Sequence, residues 1–403
     1  MTVQISAVAS SQRPTLDPVD IARSLAEGFG TTAAAHDRTG EFPAENFVEL
    51  FRSGLLSLIQ SKETGGWGEG IETAQAVIAA IAEGDPSTAL VLAMHYSVHG
   101  SIRRGKWPDV LAAKVLTANL SGTALLNNAQ AEPGIGSPAH GGLPETSARI
   151  EGEAWVVNGR KSFVTGLPGL KWAIVLATTD EETPRLIQLL VPLDLGGIGR
   201  EKAWDATGMF ATASDDLLLN DVRVPLENVV AEQPASEPLR RDEVDGYNFF
   251  VMLAAVYHGV AVSARNDLLK HLNGHVPASL GAPLSSIPRI QEALGQIEVL
   301  IAANRRLLTS VGRDIDDKKQ VGTDALAVRH VVIENAVTIT DLALELGGNR
   351  GLRRDYHLER HHRNAITARA HAPQSHMIRT IIGRELIRKS AAENPADVRH
   401  TVR

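Results

Sequence analysis

The chain has 403 residues, with 40 Lys and Arg against 47 Asp and Glu, 14 His, 35 Gly, 19 Pro and no Cys, for a formal net charge of -7. That length accommodates two or three domains and a large hydrophobic core without covalent staples. Lack of cysteine excludes disulfides, thiolate metal sites and a cysteine nucleophile, and the mildly acidic balance gives no general attraction to nucleic acid or to an anionic membrane.

No uninterrupted apolar run approaches the roughly 20 residues needed to cross a bilayer. The opening MTVQISAVASSQRPTLD has no basic stretch followed by an apolar one, so it reads as a leader and not as a secretory signal. The expectation is a cytoplasmic enzyme or binding protein.

From Pro18 to about Thr117, apolar residues recur at three- and four-residue intervals in VDIARSLAEGF, NFVELFRSGLL, TAQAVIAAIAEG and STALVLAMHYSVHGSI. This is helical periodicity, broken by a glycine-rich loop, SKETGGWGEG, at 61–70. Residues 1–119 are read as an N-terminal helical domain. Short β-rich runs then alternate with turn signals, as in EAWVVNGRKSFVTG, KWAIVLATTD, RLIQLLVPL and DDLLLNDVRVP, and Asn158-Gly159 signals a type I′ hairpin. Residues 120–232 are read as an antiparallel β-domain.

Helical periodicity returns in three runs of more than twenty residues, NFFVMLAAVYHGVAVSARNDLLKHL, IQEALGQIEVLIAANRRLLTSVG and DALAVRHVVIENAVTITDLALELGG. Each has a broad apolar face, which suits a bundle over 233–390 with a final helix at about 356–390. Residues 391–403 read as a tail. The sequence shows no internal repeat.

A Gly- and Pro-rich loop presents backbone amides, and a strand ending in Phe163 and Thr165 presents an aromatic wall and a hydroxyl. Four segments carry these features: AEPGIGS at 131–137, ARIEGEAWVVNGRKSFVTG at 148–166, GMFATASDDLLLNDVRVPLENVV at 208–230, and LELGGN at 344–349 ahead of LERHHRNA. In this order and spacing they resemble the acyl-CoA dehydrogenase superfamily over nearly the whole chain. The resemblance implies a mainly α fold with a central β-domain: an N-terminal helical domain, an antiparallel β-barrel-like domain and a C-terminal four-helix bundle. It also implies a flavin set in which Ala131 and Glu132 lie beside the ring, Phe163 and Thr165 on its face and near N5, and Ser137 toward the substrate. Gln291, Gly347 and Gly348 match positions that reach a neighbouring subunit's FAD, which with the long apolar helices implies a homotetramer, or a dimer. Hairpin packing, turn chemistry and a helix stop are the plain structural alternatives for these residues.

The family removes an α-proton with a glutamate. Here the matching stretch is RNAITARAHAPQ, 363–374, and the glutamate position is Ala372. A second family location for the base falls near Phe249, where YNFFVM has no carboxylate and the nearest is Asp245. Neither alanine nor phenylalanine takes a proton, so standard α,β-dehydrogenation lacks its base.

The pattern RNA, five residues, His371-Ala372-Pro373 resembles the flavin-dependent monooxygenase branch, typified by dibenzothiophene monooxygenase. There a histidine at this place assists the C4a-(hydro)peroxyflavin, and imidazole suits proton exchange near neutrality. A helix-end histidine bonded to backbone or solvent is the alternative. His95 and His99, four apart on one helix, match a place where the family lines its substrate pocket, so His95, Phe249 and Ala372 are pocket candidates. Packing is the equal alternative for His95, and no third ligand motif supports a metal site there.

Where the family commonly has an arginine and a Phe-Gly pair facing the pyrophosphate, this chain reads HVPASLGAP, 275–283. That leaves FAD or FMN open, with reduced flavin supplied by a separate flavin reductase. Three functions follow: a reduced-flavin monooxygenase on a small organic substrate, an acyl-CoA dehydrogenase with a non-standard base, or a catalytically silent flavin-binding homologue.

Overall fold

Helix α1 (Pro18–Thr39) starts where the Asp17 carboxylate accepts from Val19 N at 2.7 Å and Pro18 fills the first helical position. It ends on left-handed Gly40, the usual division of labour between acidic N-caps and glycine stops. The computed structural model describes residues 17–134, 142–240 and 242–393. Helices α2 (Ala44–Arg52), α3 (Ile71–Gly84), α4 (Pro86–Arg103) and α5 (Asp109–Asn119) complete the N-terminal part. Asp85 makes the corner between α3 and α4. Its buried carboxylate accepts from Ser87 N, the Thr88 hydroxyl and Asn46 Nδ2 at 2.9, 2.8 and 3.1 Å, so a group costly to bury is fully bonded.

The middle part is one curled sheet of eight strands: β1 (Leu125–Ala129), β2 (Ser147–Glu151), β3 (Ala154–Val164), β4 (Leu170–Thr179), β5 (Arg185–Pro192), β6 (Ile198–Glu201), β7 (Asp215–Pro225) and β8 (Val229–Pro234). The order is β6-β7-β3-β2-β4-β5-β8, with β1 against β4. Pairing is antiparallel except that β4 runs parallel to β1 and β2. Alternation along β4 divides the two faces. Ala173 and Val175 join the main core, whereas Trp172 and Ile174 join a smaller one with Val98, Ile102 and Val115 of α4 and α5 and Trp107 between them.

The hairpin expected at Asn158-Gly159 is not there. Both residues lie inside β3, and the chain reverses at Gly152 instead. Asn158 exchanges two hydrogen bonds with Asp221 on β7, each 2.9 Å. A Cβ on Gly159 would come within 2.4 Å of Thr146 Oγ1. Asn-Gly here makes a bulge in a long strand, a use that the dipeptide alone does not distinguish from a turn.

The C-terminal part consists of α6 (Glu243–Gly274), α7 (Pro288–Asp316), α8 (Asp324–Gly351), α9 (Leu358–Thr367) and α10 (Ser375–Glu393). The single final helix expected at 356–390 is broken after Thr367, because Pro373 removes a backbone donor and restricts the residue before it. His371 sits in that break. Helix α6 is buried from Val251 to Ala264 between α3 and α4 on one side and α7, α8 and α9 on the other. It is long and apolar enough to cross a membrane by length and composition, but most of that apolar stretch is buried by the protein itself.

The architecture is therefore a helical N-terminal part, a curled-sheet middle part and a helical C-terminal part. One close crossing is α3 against α6, where a Cβ on Gly259 would meet Ala79 O at 2.3 Å and Ala82 Cβ at 2.6 Å. Gly259→Ala is expected to cost about 1–3 kcal/mol in urea denaturation through this overpacking; an unchanged midpoint would show that the crossing has slack.

Candidate active site

Strand β3 ends in strain. Phe163 has a left-handed backbone (φ 59) and its side chain is 61% exposed, meeting Trp204 edge-on at 6.3 Å between ring centroids. Met209 (φ 54) and Ala213 (φ 43), in the loop that precedes β7, are also left-handed. Each such residue costs on the order of 1–3 kcal/mol and persists only where its surroundings fix it. Here they do. Trp204 Nε1 and the Thr212 hydroxyl donate to Met209 O at 3.0 and 2.8 Å, the Thr212 and Ser214 hydroxyls are 2.8 Å apart, and Ser214 donates to Thr165 Oγ1 at 3.0 Å. Asn127 on β1 donates to Thr165 O at 3.1 Å. A rigid hydrogen-bonded frame thus presents an exposed aromatic ring.

Helix α9 ties this frame to the bundle. Asn364 Oδ1 accepts from Met209 N at 2.7 Å, and Arg363 donates to Thr207 O at 2.8 Å while pairing with Asp37 of α1 and Glu359 at 2.7 and 2.5 Å. The RNA segment is therefore the joint among all three parts of the fold.

Past the end of α9, His371 Nε2 lies 2.8 Å from the Tyr257 hydroxyl of α6. Arg329 of α8 donates to His371 O at 2.7 Å and to Pro373 O at 2.9 Å, gripping the two carbonyls that flank Ala372. The Arg329 guanidinium also lies over the Phe250 ring at 5.2 Å, beside Phe249. Burial, aided by the Arg329 charge, lowers the His371 pKa to about 4, so the ring is neutral at pH 7. Burial raises the Tyr257 pKa, so that hydroxyl stays protonated. The structure thus brings His371, Ala372 and Phe249 to one region of α6 and α8. None of the three supplies a carboxylate, and Asp245 is engaged by Arg104.

Other candidates fall elsewhere. Glu132 does not present its carboxylate to a ligand: it is buried, bonded to Lys161 Nζ at 2.5 Å and to Thr146 and Glu145 N. Burial works against its charge, but the bonds from Lys161 and Thr146 hold its carboxyl below the ordinary range. The carboxylate anchors the loop, and a lone charge in that position would be too costly. Ala131 O accepts from Ser162 N at 2.9 Å, which ties the same loop to β3. Ser137 lies outside the described residues. His95 is 1% exposed, with Nε2 3.1 Å from Leu56 O.

Gln291 is in the first turn of α7, donating to Ser285 O at 3.0 Å, and no described residue of this chain links it to the site. Gly347 packs against Leu358, and Gly348 (φ 54) kinks the end of α8. His361 is bonded to Asp267 at 2.9 Å, a structural pair. Among the described residues no cluster of three His, Asp or Glu is placed to hold a metal.

Tyr257, Arg329, Thr367 and Trp204 were not marked by the sequence. Tyr257 and Arg329 sit within apolar helical runs where they read as core or surface, and only the fold turns them toward His371.

Models of the acyl-CoA dehydrogenase N-terminal, middle and C-terminal domains match residues 19–105, 128–222 and 251–376. The chain is 31% identical over 353 residues to the putative acyl-CoA dehydrogenase YdbM of Bacillus subtilis, covering 87% of this chain and 91% of that one. Among solved structures, it is similar to butyryl-CoA dehydrogenase of Megasphaera elsdenii (TM-score 0.81, 22% identity, 92% and 98% of the two chains). It is also similar to the dibenzothiophene monooxygenase TdsC of Paenibacillus sp. A11-2 (TM-score 0.77, 22% identity, 90% and 95%).

A histidine with a folded pKa of about 4 and an unfolded value of about 6.5 gives a signed prediction. Its contribution to stability is full above pH 6.5 and is lost as pH falls toward 4, because the unfolded chain binds the proton first. A 15N titration of His371 is expected to show a midpoint near 4. A midpoint near 6.5 would mean that neither burial nor Arg329 acts on the ring.

Proposed function

The chain belongs to the acyl-CoA dehydrogenase family of flavin-dependent oxidoreductases, and we propose that within it the protein is a reduced-flavin, O2-using monooxygenase acting on a small organic substrate. The observation that carries this reading is the replacement of the family's carboxylate by Ala372, with His371 fixed beside it through Tyr257 and Arg329. A neutral imidazole exchanges or holds a proton; with a pKa near 4 it is too weak a base to remove the α-proton of an acyl thioester efficiently.

The residues present fit a flavin. Phe163 offers an exposed, rigidly backed aromatic face, the Thr165 hydroxyl lies two residues on, and the Ala131–Gly134 loop is anchored beside them through Glu132. A bound flavin supplies electron transfer, and in the reduced form it supplies reaction with O2. The chain's own part is to wall the ring with Phe163, fix the loop through Lys161, and hold a proton acceptor at His371.

Because 275–283 carries no arginine for a pyrophosphate, either FMN or FAD suits this reading, delivered reduced by a separate reductase. TdsC is also known in a complex with FMN and indole. Exposed Val299, Val331, Ile381, Leu386 and Ile387 on α7, α8 and α10 support an oligomer, a homotetramer before a dimer.

A second reading, an acyl-CoA dehydrogenase with an unusual base, is favoured by the likeness to YdbM at 31% identity. One experiment separates the two. Protein loaded anaerobically with reduced FMN or FAD is mixed with oxygenated buffer, and oxidised-flavin absorbance is followed. The monooxygenase reading predicts a return delayed well beyond that of free flavin, with the delay shortened in His371→Ala while flavin affinity is kept. Immediate reoxidation, with bleaching of the oxidised flavin by an acyl-CoA, would establish the dehydrogenase instead.

A further inference from the structure

Helix α4 is buried on nearly every side, yet it carries two histidines one turn apart. His95 and His99 are each 1% exposed, and their ring centroids lie 4.3 Å from one another. The protein answers His95 through Leu56 O, 3.1 Å from Nε2. It does not answer His99. Among the described residues neither ring nitrogen of His99 has a hydrogen-bond partner, and neither has Oδ1 of Asn248, a residue of α6 that is 6% exposed. Buried polar atoms are costly to leave without partners, so three of them at one place ask for a ligand that supplies the bonds.

The packing leaves room there. Gly100 follows His99, and a Cβ built on it would come within 4 Å of a single atom, Asn248 Nδ2 at 3.8 Å. At Gly259, further along α6, the same addition would meet backbone at 2.3 Å. Helices α4 and α6 are therefore loosely packed where His99 and Asn248 approach each other.

This place also adjoins both sides of the candidate site. Val91, His95 and His99 recur every four residues and share a face of α4. A Cβ on Gly166, which follows Thr165, would lie 2.9 Å from Val91 Cγ1. Eight residues of helix span about 12 Å, so the stripe runs from the frame behind Phe163 to Asn248. Phe249 and Phe250 come next in α6, and Phe250 lies under the Arg329 guanidinium that grips the His371 segment.

We infer that His99 and Asn248 form a specificity subsite that takes a neutral hydroxyl, or a comparable N–H group, of the substrate. Asn248 Oδ1 only accepts, so the ligand must donate to it; a neutral imidazole offers one N–H and one lone pair, so it serves a group that does both. A hydroxyl meets these demands. Burial, reinforced by His95, holds the His99 pKa well below its ordinary value, so the ring carries no charge at pH 7. The charged residues about one turn beyond, Arg104 and Asp245, pair with each other, which leaves no counter-charge for an ionic ligand. A plain aliphatic chain would leave all three polar atoms unanswered. The inference rests on the reading of the protein as an oxidoreductase of a small organic substrate, and it narrows that substrate to one bearing a hydroxyl or N–H group away from the reacting centre.

The test uses the full-length, flavin-free protein with 13C-labelled histidine, and benzyl alcohol against ethylbenzene, two neutral probes of one shape that differ by an O–H. Benzyl alcohol is expected to shift the His99 signal, assigned by its loss in His99→Phe, and to bind about tenfold more tightly than ethylbenzene. His99→Phe and Asn248→Leu should each erase that preference. Both replace unanswered polar atoms by apolar ones, so without a probe they should leave the urea midpoint level or raise it, which a merely structural role would not. If either variant fails to fold, Gly100→Leu, which fills the room between the helices, should abolish binding of both probes. Equal affinities, a His99 signal unmoved by benzyl alcohol, or a midpoint lowered in both variants overturns the inference. Delayed flavin reoxidation without the probe preference removes the subsite and leaves the functional reading standing; the preference with immediate reoxidation does the reverse.

Discussion

Asn364 bonds in two directions at once. Its side-chain oxygen takes the amide of Met209 in the middle part, and its backbone carbonyl takes the hydroxyl of Thr367, the last residue of α9 ahead of the break that carries His371. The strained loop that backs Phe163 and the break that carries His371 are therefore set by one residue. Arg363 reinforces the joint through Thr207, Asp37 and Glu359. Buried bonds of this kind are costly to leave unmade, so the relative placement of the sheet and the bundle is held by the penalty for breaking them more than by the gain from any one.

That constraint explains why unfavourable local features persist. Left-handed Phe163, Met209 and Ala213 and a buried Lys161–Glu132 pair all surround the same face. Each destabilises in isolation and is tolerated because its neighbours over-determine it. What results is a large ring presented to solvent on a rigid support, which is what a planar cofactor requires of its wall.

Much of the fold was legible. The long 3.6-residue periodicities gave α3, α4, α6, α7 and α8, because burial on a fixed face leaves a periodic trace. The alternating runs gave most strands. Asn158-Gly159 misled because a bulge and a turn ask the same backbone freedom of glycine, and only Asp221 and Thr146 across the sheet distinguish them. Motif and chemistry coincide in the sequence at Phe163, Thr165 and His371, which is what makes them candidates there. The direction of a side chain is not legible in the sequence. Glu132 turns inward to Lys161, and His95 faces Leu56, because a sequence shows which residues share a face but not what that face meets. Tyr257 left no signal, as an aromatic in an apolar helix reads as core until its hydroxyl finds a partner.

The central claim is that a flavin ring rests on Phe163 within reach of His371, in a pocket without a carboxylate base. An experimental structure of the protein with reduced or oxidised FMN tests it most directly. The account predicts the ring against Phe163, with His371 beside it and Tyr257 still bonded to Nε2. A ring placed away from Phe163, or a carboxylate moved in beside its reactive edge, would contradict it.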